Sequence, residues 1–247
     1  MNAPERRFQV NQLTPDPAVQ FDRKVAEQYV LYAHRLAVRG YVQAAVGNMV
    51  MRKAQPGYPD GVCYVKCQGV SLEEMSIDDV VITDVPFGRI LYGDRATTVG
   101  HQMNREILRL RPDIHCVIHL HHDETVAFLA AGDREIRPLG LTFSYLMQKP
   151  LQYLPAHINV EEDVAPIKTF IRATNCILMK RHGITVLGRN VSECYGRVNI
   201  LAAEVKRNIL AEQLAALRGT TVDYISNEEM EQMFRAGDAV MYPQVKR

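Results

Sequence analysis

Three histidines carry the strongest chemical signal in the sequence. In IHCVIHLHHDETVAFLAAG, residues 114–132, His119 and His121 are separated by a single residue. On a β-strand successive side chains alternate faces, so these two imidazoles point one way while Leu120 and His122 point the other. With backbones about 7 Å apart, the two rings can converge on one ion. A catalytic metal site then needs a third protein ligand and an open position for substrate or water. The best-placed third donor is His182 in ILMKRHGITVLG, at the end of an apolar β run and followed by Gly183. A side chain there is presented at a sheet edge. Two plainer readings compete: for the pair, polar residues on the solvated face of an edge strand; for His182, an ordinary turn residue. Val117, Ile118 and Leu120 flank the pair and count against a solvated strand, because buried imidazoles need partners.

The elements that must position these rings follow from periodicity. Residues 21–38 repeat apolar side chains at helical spacing (Val25, Tyr29, Tyr32, Leu36) before Gly40, which predicts an amphipathic helix with a glycine stop. Short β runs at 47–52 and 62–66, separated by QPGYPDG, and then VVITDV, predict a meander of strands. Residues 101–110 have helical spacing and end at Arg111-Pro112-Asp113, after which residues 114–121 form a β run. Strand, helix and strand are expected again through 177–190, and a long final helix begins near Asn190, where Glu193 three residues on gives the form of a capping box. Alternation of this kind predicts a mixed sheet covered by helices. Residues 1–18, polar and carrying Pro4, Pro15 and Pro17, are expected as a flexible arm or a strap lying on a neighbour.

The 247 residues are 47% hydrophobic and 23% charged, enough to bury a large core, and one domain over 1–247 is the expectation. Lys plus Arg number 29 against 28 Asp plus Glu, so no net field is available to hold nucleic acid. The N-terminus lacks the apolar core of a signal peptide and no stretch is long and apolar enough for a membrane span, which predicts a cytoplasmic protein without membrane partners. The five cysteines contain no CxxC pair. Three of them sit within apolar runs, where thiols act as small hydrophobes, and neither a disulfide framework nor a zinc–cysteine site is predicted.

The block from Arg111 to Gly132, RPDIHCVIHLHHDETVAFLAAG, resembles the arginine-proline, His-x-His block of the class II aldolases and adducins. MKRHGITVLGRNVSECYGRVNILAAEVKRN resembles the family's asparagine-His-Gly block with its following helix, VGNMVMR its glycine-asparagine segment, and YVKCQGVSLEEMSIDDVVITD the segment of glycine, short acidic helix and strand. The resemblance runs from about residue 21 to about residue 215. It implies a three-layer α/β fold with a central, mostly antiparallel sheet flanked by helices. It implies one divalent ion (Zn, Mn or Fe) on His119, His121 and His182, and an assembly into homo-oligomers, commonly tetramers, with sites at subunit boundaries.

Departures from the family pattern bear on the reaction. The family's aldolases carry a glutamate eleven residues before the arginine-proline and a histidine four residues after that glutamate; here these positions are Gly100 and Asn104. His101, next to Gly100, is the nearest titratable replacement, as a fourth ligand or an acid/base, with Tyr145 or His122 as the next candidates. Where the aldolases use small hydroxyl residues for phosphate, this chain has Lys66-Cys67-Gln68-Gly69 and Thr98-Val99. Asn48, Lys66, Gln68 and Thr98 are then expected to hold a small-molecule acid rather than a phosphorylated sugar. The expectation is a metal-dependent carbon–carbon lyase, a decarboxylase or aldolase of a hydroxylated or oxo carboxylic acid. Alternatives are a non-haem Fe(II) oxygenase acting on a hydroxyphenylpyruvate-type acid on the same fold and an adducin-like protein without chemistry.

Overall fold

A computed structural model describes residues 11–132 and 135–242. Its centre is one eight-stranded sheet in the order β4-β3-β2-β1-β5-β8-β7-β6. The strands are β1 (Asn48–Gln55), β2 (Tyr58–Lys66), β3 (Val80–Asp84), β4 (Ile90–Tyr92), β5 (Cys116–Leu120), β6 (Leu151–Leu154), β7 (Cys176–Met179) and β8 (Gly183–Gly188). Every neighbouring pair is antiparallel except β6 with β7, in agreement with the expected mostly antiparallel sheet.

Both faces of the sheet are covered, which is why its strands are nearly continuous apolar runs. Cys116, Ile118 and Leu120 of β5, with Ile184 and Val186 of β8, face a core shared with α1 (Arg23–Val38), α3 (Asp123–Ala130), α4 (Leu141–Met147) and α6 (Val191–Arg218). Val117, Ile177 and Leu187, the alternate residues, face a second core built with α2 (His101–Leu110) and α5 (Ile167–Phe170). Two helical layers thus sandwich the sheet, as the family resemblance implies. All five cysteines are free and buried. Among the described residues no helix is long and apolar enough to cross a membrane.

Several elements differ from the sequence expectation. Residues 11–18 run along β4 of their own chain rather than forming a free arm: Ile90 N–H donates to Gln12 O (2.9 Å), Thr14 N–H to Ile90 O (2.9 Å) and Asp16 N–H to Leu91 O (3.1 Å). They supply the sheet edge with backbone partners it would otherwise lack; residues 1–10 lie outside the described residues. No helix separates β7 from β8. Met179 pairs with Gly183 across a tight turn in which Arg181 takes φ +64°. Asn190 caps α6 by accepting from Glu193 N–H (2.8 Å), but the Glu193 carboxylate accepts from Arg189 N–H (2.7 Å), one residue before the cap. α6 is not the last helix. α7 (Asn227–Met241) follows, started by a complete Ser226/Glu229 capping box, and packs on α4.

Candidate metal centre

The alternation in β5 puts His119 on the same face as Val117, toward α2 and α5, and continues it to His121 just past the strand end. β5 lies between β1 and β8, with Asn48 opposite His119 on one side and Thr185 opposite it on the other. The turn into β8 brings His182 to the same edge of the sheet. That approach is close: a Cβ on Gly183 would overlap Leu120 O and come within 3.0 Å of His121 Cα. The glycine is therefore required by space, and its effect is to press the β8 start against the β5 end.

The result is a three-ring cluster. Ring centroids lie 5.1 Å apart for His119 and His121, 4.9 Å for His119 and His182, and 4.9 Å for His121 and His182, each pair at 73–88°. One nitrogen of each ring lies within 4.8 Å of the others. His119 Nδ1–H donates to Ile184 O (3.0 Å), with Thr185 Oγ1 3.1 Å away, which leaves a lone pair on Nε2. That Nε2 is buried and has no hydrogen-bond partner, the condition of a ring nitrogen awaiting an ion. Burial pushes His119 down to about 4, partly offset by a nearby carboxylate, and lowers His121 as well. Neutral imidazole is the form that ligates a metal. The donor set and its backing hydrogen bond fit a divalent ion with positions left open.

The nearby carboxylate is Glu161, a residue that its sequence context does not single out. Its Oε2 lies 3.1 Å from His182 Nε2 and its Oε1 3.7 Å from His119 Nε2, with only 16% of the side chain exposed. Burial raises its pKa, but the hydrogen bond with His182 and the charges of the histidines outweigh this and hold it at about 2. Glu161 sits in the loop between β6 and α5, anchored by fully buried Val160 and by a turn in which Glu161 N–H donates to Asn159 Oδ1 (3.2 Å).

The other expected site residues divide. Asn48 is at the centre: it is buried, and its Oδ1 accepts from Asn104 Nδ2 (2.6 Å), which turns the amide N–H2 toward Gly100 and Glu161. Thr98 and Gln68 lie in adjoining loops joined by the Cys67–Thr97 bridge, beside the start of α2. Lys66 is turned away. It alternates with Val65, so it faces the α1 side of the sheet, fully buried, and its ammonium donates to Ala45 O (2.9 Å) and Val70 O. His101 also points elsewhere: Nε2 is 2.7 Å from Thr83 Oγ1, on a strand three spacings from β5, about 14 Å. Tyr145 lies on α4, whose helical partners are α6 and α7, and its carbonyl packs on Gly237. His122, which points away from the trio as alternation requires, caps α3 through Thr125 and lies beside the ring of Tyr41.

Residues 27–208 match the family model for the class II aldolase and adducin N-terminal domain. L-fuculose phosphate aldolase of Methanococcus vannielii is 25% identical over 189 residues, covering 74% of this chain and 94% of its own. That of Methanocaldococcus jannaschii is 25% identical over 189 residues, covering 74% and 95%. A solved L-fuculose 1-phosphate aldolase superposes with a TM-score of 0.72 at 17% identity, covering 87% of this chain and 96% of that one. The ordered blocks, the layered fold and the family match agree: this chain belongs to the class II aldolase/adducin family.

Proposed function

We propose that the protein is a divalent-metal-dependent carbon–carbon lyase that decarboxylates, or cleaves the aldol bond of, a hydroxylated or oxo carboxylic acid. The observation that carries the reading is the unpartnered Nε2 of His119, aimed into a cluster with His121 and His182. A Zn, Mn or Fe ion there would supply a Lewis acid that stabilises negative charge on a chelated substrate oxygen. The chain's own residues bind and orient: three imidazoles leave room for two substrate oxygens, and the amide of Asn48, fixed by Asn104, offers a donor at the same edge. Gln68 and Thr98, in the loops before α2, would bind the substrate's remote end. Lys66 is engaged on the other face, so the acid's carboxylate is taken up by chelation rather than by a lysine.

Relatives named L-fuculose phosphate aldolase support lyase chemistry; the loss of small hydroxyl residues at the phosphate positions supports a substrate without phosphate. On this reading the enzyme is cytoplasmic, with one domain per chain assembled into a homo-oligomer, a tetramer by family resemblance.

The test is turnover of a panel of hydroxylated and oxo acids by metal-loaded protein under argon. Release of carbon dioxide or of an aldehyde without dioxygen is the expected result. Turnover that requires dioxygen and consumes it stoichiometrically overturns the lyase in favour of the Fe(II) oxygenase.

A further inference from the structure

The geometry points to Glu161 as the carboxylate ligand of this metal centre, delivered from the β6–α5 loop into space that Gly100 leaves empty. The inference rests on the metal reading above and assigns a fourth protein ligand to it.

Position 100 is at the start of α2 with φ −69° and ψ 2°, a conformation open to any residue, so backbone freedom does not call for glycine there. Space does. A Cβ on Gly100 would overlap Glu161 Oε1 and lie 2.6 Å from Asn48 Nδ2. The carboxylate of Glu161 thus occupies the place where a side chain at position 100 would begin, and the two positions exclude each other. A carboxylate that the sequence lacks on the helix is present in the same space from a loop 61 residues further along.

Distances agree with ligation. Atoms bound to one zinc-sized ion at about 2.0–2.2 Å in tetrahedral arrangement are separated by about 3.4 Å. The two Glu161 oxygens lie 3.1 Å and 3.7 Å from the nearest nitrogens of His182 and His119. A carboxylate with only 16% of its side chain exposed is costly to bury unless hydrogen bonds and a cation compensate it, and an ion at the centre of the trio would supply that cation. As a ligand, Glu161 would hold one position on the ion from the chain's own side, beside His119, His121 and His182.

The competing role is that of a hydrogen-bond acceptor which orients His182. Glu161→Gln separates the two, since the amide oxygen can still accept from His182 but is a poor metal ligand. Zinc affinity by competition with a chromophoric chelator, and the visible spectrum of the Co(II)-loaded protein, are read without any substrate. The expected result is at least a tenfold weaker affinity and a changed Co(II) spectrum, with the circular dichroism retained. Unchanged affinity and spectrum in Glu161→Gln overturn the proposal. Should that variant not fold, Glu161→Gly is compared with Glu161→Gly/Gly100→Glu. Recovery of affinity by the relocated carboxylate supports the exchange; no recovery overturns it. None of these readouts depends on turnover, so a failed lyase assay and a failed ligand assignment are told apart.

Discussion

At His119 one ring nitrogen serves the fold and the other is free for chemistry. Nδ1–H is held by Ile184 O, which fixes the tautomer and the ring plane, so Nε2 needs no reorganisation to take an ion. Replacing His119 or His121 by alanine is expected to leave the circular dichroism intact and to abolish stoichiometric metal by elemental analysis. A full equivalent retained in both variants would sink the trio. His101 is expected to behave differently. Its ring is buried on Thr83, so His101→Gln, which can keep that hydrogen bond, should leave metal affinity unchanged. The effect belongs to stability. Burial, and then the charge of Arg105, hold His101 well below the ordinary imidazole value of 6.5, so the folded ring stays neutral where the unfolded one takes up a proton. The unfolded state then binds more protons below pH 6.5, and the folded state loses stability as pH falls through that value, by up to about 1.4 kcal/mol per pH unit. Urea titrations at pH 7.5, 6.5 and 5.5 should give a flatter profile for His101→Gln than for the native protein. Parallel profiles would remove His101 as the source of the slope.

The element that brings the trio together is the β5/β8 pair, and its tolerance is small because backbone meets backbone at Gly183. Gly183→Ala has to push β8 away from Leu120 and His121; overpacking of this kind costs about 1–3 kcal/mol. We expect a lower urea midpoint and weakened zinc binding, since His121 Cα is one of the atoms displaced. Native affinity in this variant would mean that His182 reaches the site without the close approach. α2 is fixed from its other end: the Arg52 guanidinium takes the carbonyls of Leu108 (3.0 Å) and Arg111 (2.8 Å) at the helix C-terminus. These elements are legible in the sequence because local rules determine them. Helical spacing before Arg111-Pro112 marks α2 and strand alternation places His119 and His121 on one face, whereas the tight turn at Arg181 stands where the sequence suggests a helix. What is not legible depends on tertiary packing. Glu161 stands in the acidic run Glu161-Glu162-Asp163, which reads as a solvated turn, and only the space beside Gly100 makes it part of the site. Lys66 looks like an available cation until the pleat of β2 turns it toward α1. α7 has a readable Ser226-x-x-Glu229 start, but its polar sequence gives no sign of the α4 surface it packs on.

At the scale of the whole molecule, one exposed apolar stripe is the surface we expect to meet a second copy. In the C-terminal half of α6, Leu210, Leu214 and Leu217 are 58%, 48% and 84% exposed. Their spacing of four and three residues places them along one stripe of the helix. Up to Asn208 α6 buries residues against the sheet and its neighbouring helices, so the stripe begins where intramolecular cover ends. Covering a leucine fully yields about 1.5–3 kcal/mol, and a net formal charge of +1 offers little repulsion between copies. With residues 11–18 lying on β4 of their own chain, the α6 stripe is the contact we expect between subunits among the described residues. Light scattering at micromolar concentration should give a multiple of the 28.0 kDa chain mass, four for the family's common assembly. Leu214→Asp/Leu217→Asp should lower that mass while leaving the thermal unfolding of the subunit cooperative, because neither side chain is part of the core. A native protein that scatters as 28.0 kDa would reject the assembly. A double variant with the native mass would move the contact elsewhere on the surface.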